Sequence, residues 1–404
     1  MSPDAAPTLG TEPITDRQER AALAARSVQS LFGQRLWGIP GTWMGAVAFP
    51  HPSQFSTTWH YWWQAHLLDA LVDAARREAA MGQDSTSTRE RAHQLVRAMT
   101  VRSGGHVTLN NFYDDMAWLM LALGRFRHLE EDSGGHTRSL VKAGSALLKD
   151  LRRAHTTDVG GGMFWTRKRT YKNTATTGPA ALIAVRTHAL RESAALLVWL
   201  QKHLWDADKK VFQDGINIVT QDDGTQGIRL DSSVYTYNSG PALGAAVELA
   251  QNSTSNDAQQ WSDFAAQIVA GADAEFGREA GHRRVLKTHG SGDGGLFTGI
   301  LVRYLAEAAE ADVLDADTRR TARRLVLDTA DALWDGKRAF DPEQDFNDPD
   351  AQPDPARTVA IFSPDPLESA DTAQPAGRTV ELGNQIQAWT VLEAAARLEP
   401  SPVR

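Results

Sequence analysis

Two carboxylates stand side by side in the stretch NNFYDDMAWLMLALGRF, residues 110–126: Asp114 and Asp115, at the edge of an apolar run. Like charges in contact repel, so a chain that sets them where a buried helix begins uses them either as N-terminal caps or together, for chemistry. In a crowded, partly dry site the repulsion separates their proton affinities, leaving one acid protonated near neutrality and its neighbour ionised. Glycoside hydrolysis requires such a pair: a proton donor for the leaving oxygen and an anion facing the anomeric carbon or a water. Retaining enzymes hold the two groups about 5 Å apart and inverting enzymes about 6.5–9.5 Å. Neighbouring helical residues point about 100° apart, which suits either separation. The pair alone leaves open the stereochemistry and which carboxyl is the acid. Asn111, just upstream, joins it as a polar candidate.

Other segments carry residues suited to binding sugars. TTWHYWWQAH at 57–66 brings Trp59, Trp62, Trp63 and Gln64, and GGGMFWTRKRTYKN at 160–173 brings Trp165, Lys172 and Asn173. VYTYNSG at 234–240 brings Tyr235, Tyr237 and Asn238. GDGGLFTGILVRY supplies Asp293, Phe297 and Arg303, and ELGNQIQAW supplies Asn384 and Gln385. Aromatic faces stack on sugar C–H surfaces, and amides read hydroxyls as donor and acceptor at once. Any one of these aromatics is ordinary core material. Their shared placement around inner-helix starts is the informative part.

The elements that must hold them are helices. Periodicity predicts twelve, near 17–34, 60–79, 87–102, 113–128, 137–153, 178–188, 191–204, 239–252, 257–275, 295–311, 316–334 and 381–398, with one hairpin at 209–237. Even-numbered helices, such as MAWLMLALGRF and SGPALGAAVELA, are apolar nearly all round and should lie inside. Odd-numbered ones, such as DTRRTARRLVLDTADALW, carry one apolar stripe and should lie outside. Long connections (35–59, 155–177, 205–238, 276–294, 335–380) lead into inner helices, and short ones lead out. TGPAAL at 177 and SGPALG at 239 form a weak repeat in which Gly-Pro opens an inner helix, Pro being tolerated in a first turn. The expected fold is all-α, an (α/α)6 barrel of six inner and six outer helices, one catalytic domain over 16–400. An open α-solenoid is the alternative, although its repeats are more regular. Function should sit at the end where the long loops gather.

Composition excludes much else. The 404 residues carry a net charge of −8 and no basic block, which argues against nucleic acid. There is no cysteine, hence no disulfide, thiolate nucleophile or cysteine-bound metal. The histidines form no HExxH or His-x-His pair, so a zinc site is not expected. The acidic loop DPEQDFNDPD at 341–350 lacks the glycine and closing Glu of a calcium loop, GSGDGG at 290–295 follows no strand, and no GxSxG elbow occurs. No apolar run is long enough to span a membrane. The first fifteen residues, MSPDAAPTLGTEPIT, lack a secretion signal's basic start and apolar core. The expectation is a disordered tail over 1–15 on a cytoplasmic monomer.

YDDMAWLMLALGR resembles the Asp-Asp motif of glycoside hydrolase family 76, the α-1,6-mannanases. YWWQAHLLDALVDA, the GGGMFW…YKNTATTGPAALIAVR block, LWDADKKVFQDGI, TYNSGPALGAAVEL and LFTGILVRYLAE resemble the same family in the same order, across residues 55–310. The resemblance implies hydrolysis of α-1,6-mannosidic bonds in α-mannan or manno-oligosaccharides with retention, on an (α/α)6 fold and without a cofactor. It implies Asp114 as nucleophile and Asp115 as general acid/base, with Tyr237 and Asn238 lining the sugar site and Trp165, Asn173 and Phe297 nearby. Thr298, where the family often has Lys, and Met116-Ala117-Trp118 after the pair depart from its pattern. A transglycosylase on α-mannosides and a mannan-binding protein without catalysis are the competing readings. A sugar isomerase would need paired histidines, for which only His60 and His66 offer themselves.

Overall fold

The computed structural model describes residues 16–220, 226–342 and 357–399. The stretch 1–15 expected to be a tail, and residues 343–350 of the acidic loop 341–350, lie outside the described residues.

Helices dominate: α1 Arg17–Phe32, α2 Tyr61–Ala80, α3 Thr86–Arg102, α4 Tyr113–Asp132, α5 Arg138–Leu151, α6 Thr174–Arg186, α7 Leu190–His203, α8 Thr236–Asn252, α9 Ser255–Gly271, α10 Gly294–Glu310, α11 Ala316–Asp335, the short α12 Ala370–Ala373 and α13 Leu382–Arg397. Helices α2, α4, α6, α8, α10 and α13 each touch the next, and α13 returns to touch α2. Each is also packed against one partner: α3, α5, α7, α9, α11 and α1 respectively. Burial follows this order. Every residue of α6 from Thr174 to Val185 is buried, whereas α5 buries Leu140, Leu147 and Leu151 and leaves Val141 exposed. One continuous apolar cluster runs from Ala21 to Leu398.

The Gly-Pro pairs do not open their helices. Asn173 caps α6 by accepting the Thr176 N–H at 3.1 Å, so the helix starts at Thr174 and Pro179 falls in its second turn. Pro241 sits likewise inside α8. One glycine of the repeat has a packing reason of its own. A Cβ on Gly240 would lie 3.0 Å from the Ile300 carbonyl oxygen and 2.9 Å from the Tyr304 ring, so α8 approaches α10 closely only with glycine there. Gly299 stands in the same relation to α13, where a Cβ would lie 3.1 Å from Gln387 Cα.

The predicted hairpin belongs to a four-stranded antiparallel sheet. Its strands are β1 Tyr171–Asn173, β2 Trp205–Asp206, β3 Val211–Thr220 and β4 Gln226–Val234, with β3 bonded to the other three. Two-stranded ribbons also form within the long connections, as in Gly277–Ala280 with Arg283–Leu286. Strands of two to four residues are too short for sequence alternation to mark them.

Candidate active site

Asp114 and Asp115 occupy the first turn of α4. Phe112, before the helix, offers no side-chain cap, and the loop that follows α5 takes over. The Trp165 carbonyl accepts the Tyr113 N–H at 2.7 Å, and Thr166 bridges to Phe112. That places the Trp165 indole over the pair, where its N–H donates to Asp114 Oδ2 at 3.0 Å. Asp115 Oδ2 accepts from Asn110 Nδ2 at 2.8 Å. The Asn110 side chain is fixed by its own turn, since its Oδ1 accepts the Phe112 N–H at 2.9 Å, leaving the amide N–H to face the carboxylate. Asp114 Oδ1 is buried and accepts no hydrogen bond among the described residues.

Both carboxyls bind protons more tightly than usual. Burial raises Asp114 well above the ordinary carboxyl range and the charge of Asp115 adds to it, while helix-start N–H groups and Trp165 oppose the rise. Burial lifts Asp115 to about 7 against the pull of Asn110, with Asp293 adding repulsion. The pair therefore holds a proton near neutral pH, the state expected of an acid–anion dyad.

The two acids lie on a cleft of about 1390 Å³. Trp62, Asn111, Trp165, Asn173, Tyr237, Asp293 and Phe297 line it with them, as their placement at inner-helix starts leads one to expect. Phe297 is the hub of one wall, 4.2 Å from the Tyr237 ring centre and 6.2 Å from Trp62. The indoles of Trp62 and Trp63 both donate to Asp293 Oδ1, at 3.1 and 3.3 Å.

Other candidates serve the scaffold and not the cleft. Gln64 is fully buried and bonds both the N–H and the carbonyl of Gly45 at 3.0 Å. Gln385 does the same with Phe362 at 2.9 Å. These amides read backbone where sugar hydroxyls were expected. Lys172 is buried beneath the 156–162 loop, its ammonium donating to the carbonyls of Asp158 and Gly161 at 2.7 and 2.6 Å. Tyr235 lies behind the wall, stacked on Tyr237 and edge-to-face with Phe297. Asn238 is buried and reaches Asp214 at 3.3 Å. Arg303 is buried midway along α10 against Asp69, and Thr298 is buried against Gln387, so the departure at Thr298 concerns helix packing.

Sequence reasoning missed Asp214. It lies on β3 where the register with β4 shifts between Gln213 and Gly215, and it lines the cleft. It accepts from the hydroxyls of Tyr171 (2.6 Å) and Tyr237 (3.2 Å) as well as from Asn238. Burial raises its proton affinity against these three donors. An irregularity that re-aims a side chain beside a site leaves no mark in hydrophobic alternation. Asn110 and Tyr171 were missed as well, though both stood in segments already singled out. Among the described residues no group of three or more His, Asp or Glu is placed to hold a metal ion.

A glycosyl hydrolase family 76 model matches residues 18–354. Among solved structures, the α-1,6-mannanase GH76A of Salegentibacter sp. HEL1_6 is similar at 26% identity and TM-score 0.75, over 95% of this chain and 100% of that one. An inactive variant of the same mannanase, with two consecutive aspartates replaced by asparagine, is in complex with α-1,6-mannotriose. It matches at 25% identity and TM-score 0.74, with the same coverage. The family 76 mannosidase Bt3792 of Bacteroides thetaiotaomicron VPI-5482 shares the fold at 16% identity and TM-score 0.70, over 95% and 98% of the two chains. No curated protein sequence is significantly similar to this chain.

Proposed function

This chain belongs to glycosyl hydrolase family 76, and from that premise we propose that it hydrolyses α-1,6-linked mannosides with retention, through Asp114 and Asp115. We read the cycle of six inner helices, each backed by an outer one, as an (α/α)6 barrel with its cleft at the inner-helix starts. The observation that carries the reading is the adjacent carboxyl pair beside an aromatic cleft, both members pushed up in proton affinity. The inactive relative bound to α-1,6-mannotriose, changed at two consecutive aspartates, supports both the linkage and the pair.

In this mechanism the Asp114 carboxylate attacks the anomeric carbon. Asp115 passes its proton to the departing glycosidic oxygen, and a glycosyl ester forms on Asp114. Asp115 then takes a proton from water as the water oxygen attacks the same carbon, releasing Asp114 and a product of unchanged anomeric configuration. A value about 7 suits a group that gives and then takes a proton near neutrality. Asp114 must attack as the anion, and positive charge growing on the sugar ring favours that form.

The test is incubation of wild type, Asp114→Asn and Asp115→Asn with an unbranched α-1,6-manno-oligosaccharide, reading products by mass and anomer. Release of α-configured mannose products by wild type alone is the expected outcome. Equal activity in all three proteins would reduce the pair to a helix cap. An inert wild type that still binds the sugar would replace catalysis by binding.

A further inference from the structure

The cleft does not end at its aromatic wall. Thr58 and Trp59 line it and also line a neighbouring groove with Gln34, Pro52 and Gln54. A chain leaving the cleft past Trp59 therefore runs over the segment 33–59. Two large rings stand out from the surface there: Phe55 is 84% exposed and Trp37 42%. They are stacked, with centroids 6.4 Å apart and planes 11° from parallel. A solvent-exposed aromatic pair of this size is what proteins ordinarily bury or cover.

The fold holds the pair in place. Trp37 has φ 49°, a left-handed conformation that bulky residues rarely adopt and that persists only where surrounding contacts impose it. Its N–H donates to Gln54 Oε1 at 3.0 Å, and the Gln54 amide donates to Gln34 Oε1 at 2.8 Å and to the Arg35 carbonyl at 2.9 Å. Arg102 donates to the Gln54 carbonyl at 2.9 Å. Its guanidinium lies 5.0 Å from the Trp37 ring centre and 6.0 Å from that of Trp59, which ties the exposed pair to the edge of the cleft.

We propose that the Trp37–Phe55 stack is an outlying saccharide subsite, which holds units of a long α-mannan chain beyond those inside the cleft. The inference rests on the α-mannoside reading above. A neutral sugar ring presents an apolar C–H face that matches a bare aromatic surface. The stack adjoins the cleft edge through Arg102, which lies against both Trp37 and Trp59, and Thr58 and Trp59 are shared by the cleft and the shallow hollow beside it, so a polymer leaving the cleft on this side passes close to the stack.

The experiment measures kcat and KM for wild type, Phe55→Ala and Trp37→Ala on unbranched α-1,6-manno-oligosaccharides, from the trimer up to polymeric mannan. Phe55→Trp is the restoring variant. Both alanine variants should raise KM on the polymer roughly three- to tenfold, the loss of one aromatic stacking contact, with kcat kept and the trimer unaffected. Phe55→Trp should match wild type. Since the Phe55 side chain is almost wholly exposed, Phe55→Ala should keep the wild-type melting temperature, which separates loss of binding from loss of fold. Identical length profiles in wild type and Phe55→Ala would overturn the subsite and leave the hydrolase reading standing. A wild type inactive on every length would overturn both. A concentration-dependent dimer of wild type that Phe55→Ala dissolves would assign the stack to a second copy of the chain and overturn the saccharide subsite.

Discussion

Trp165 donates its indole N–H to the Asp114 carboxylate at 3.0 Å, and its carbonyl accepts the N–H of Tyr113, the residue before Asp114, at 2.7 Å. The indole bond favours the ionised carboxylate. Trp165→Phe keeps the ring and removes the donor. Hydrogen bonds to charged groups contribute about 1.5–3 kcal/mol, so kcat/KM on an α-1,6-mannoside should fall roughly ten- to hundredfold with little change in melting temperature.

The pH profile offers a test with two opposite signs. Asp115, at about 7, must be protonated to act as the acid, so kcat/KM should decline as pH rises through that region. Asn110 lowers the Asp115 value by bonding its ionised form. Asn110→Ala should therefore move the alkaline limb to higher pH. Asp293 raises the value by repulsion. Asp293→Asn, which keeps an acceptor for Trp62 and Trp63, should move the limb to lower pH. Shifts in the same direction would contradict the assignment of that limb to Asp115.

Midway along the inner helices, Arg125 of α4 and Arg303 of α10 each pair with both Asp69 and Asp73 of α2. Burial disfavours the Asp69 anion, but the two guanidinium groups outweigh it and hold the carboxyl well below its usual range. Arg125→Met leaves buried charge unpaired and should destabilise the protein by about 3–5 kcal/mol in denaturant unfolding at pH 7. A carboxyl depressed in the fold contributes stability above the unfolded value, near pH 4, and loses it as pH falls through the folded one. The gap between wild type and variant should accordingly narrow below pH 4.

Gly240→Ala pits helix propensity against packing. Alanine gains about 1 kcal/mol in a helix interior, yet its methyl would press on the Ile300 carbonyl and the Tyr304 ring. Overpacking of about 1–3 kcal/mol should win, giving a lower melting temperature.

How much could be read in advance differs by kind of residue. Helix order, the inner–outer alternation and the Asp114–Asp115 pair were legible because each is written locally, in periodicity or adjacency. So were Trp62, Trp165 and Phe297, each of which lies close to the start of an inner helix. Gln64 and Gln385 misled because an amide at such a position serves backbone and sugar equally well, and only the fold reveals which lies within reach. Asp214 was hidden because its role comes from β3 crossing to Tyr171 and Tyr237, a meeting of three distant segments. The Gly-Pro repeat was visible, but it does not mark helix starts, and of its two glycines only Gly240 sits at a close helix contact.

The ionic knot at Asp69 and Asp73 binds α2, α4 and α10, which are also the helices whose starts present Trp62, the two acids and Phe297. From Asp114 to Arg125 is eleven residues of one helix, about 16 Å of rise. Axial slippage of any of the three rods would shear the reacting carboxyls against the aromatic wall, and the knot resists it by fixing their relative heights. On the proposed mechanism, turnover depends on charges that no sugar meets, and sequence drift midway along these helices is constrained by events at their starts.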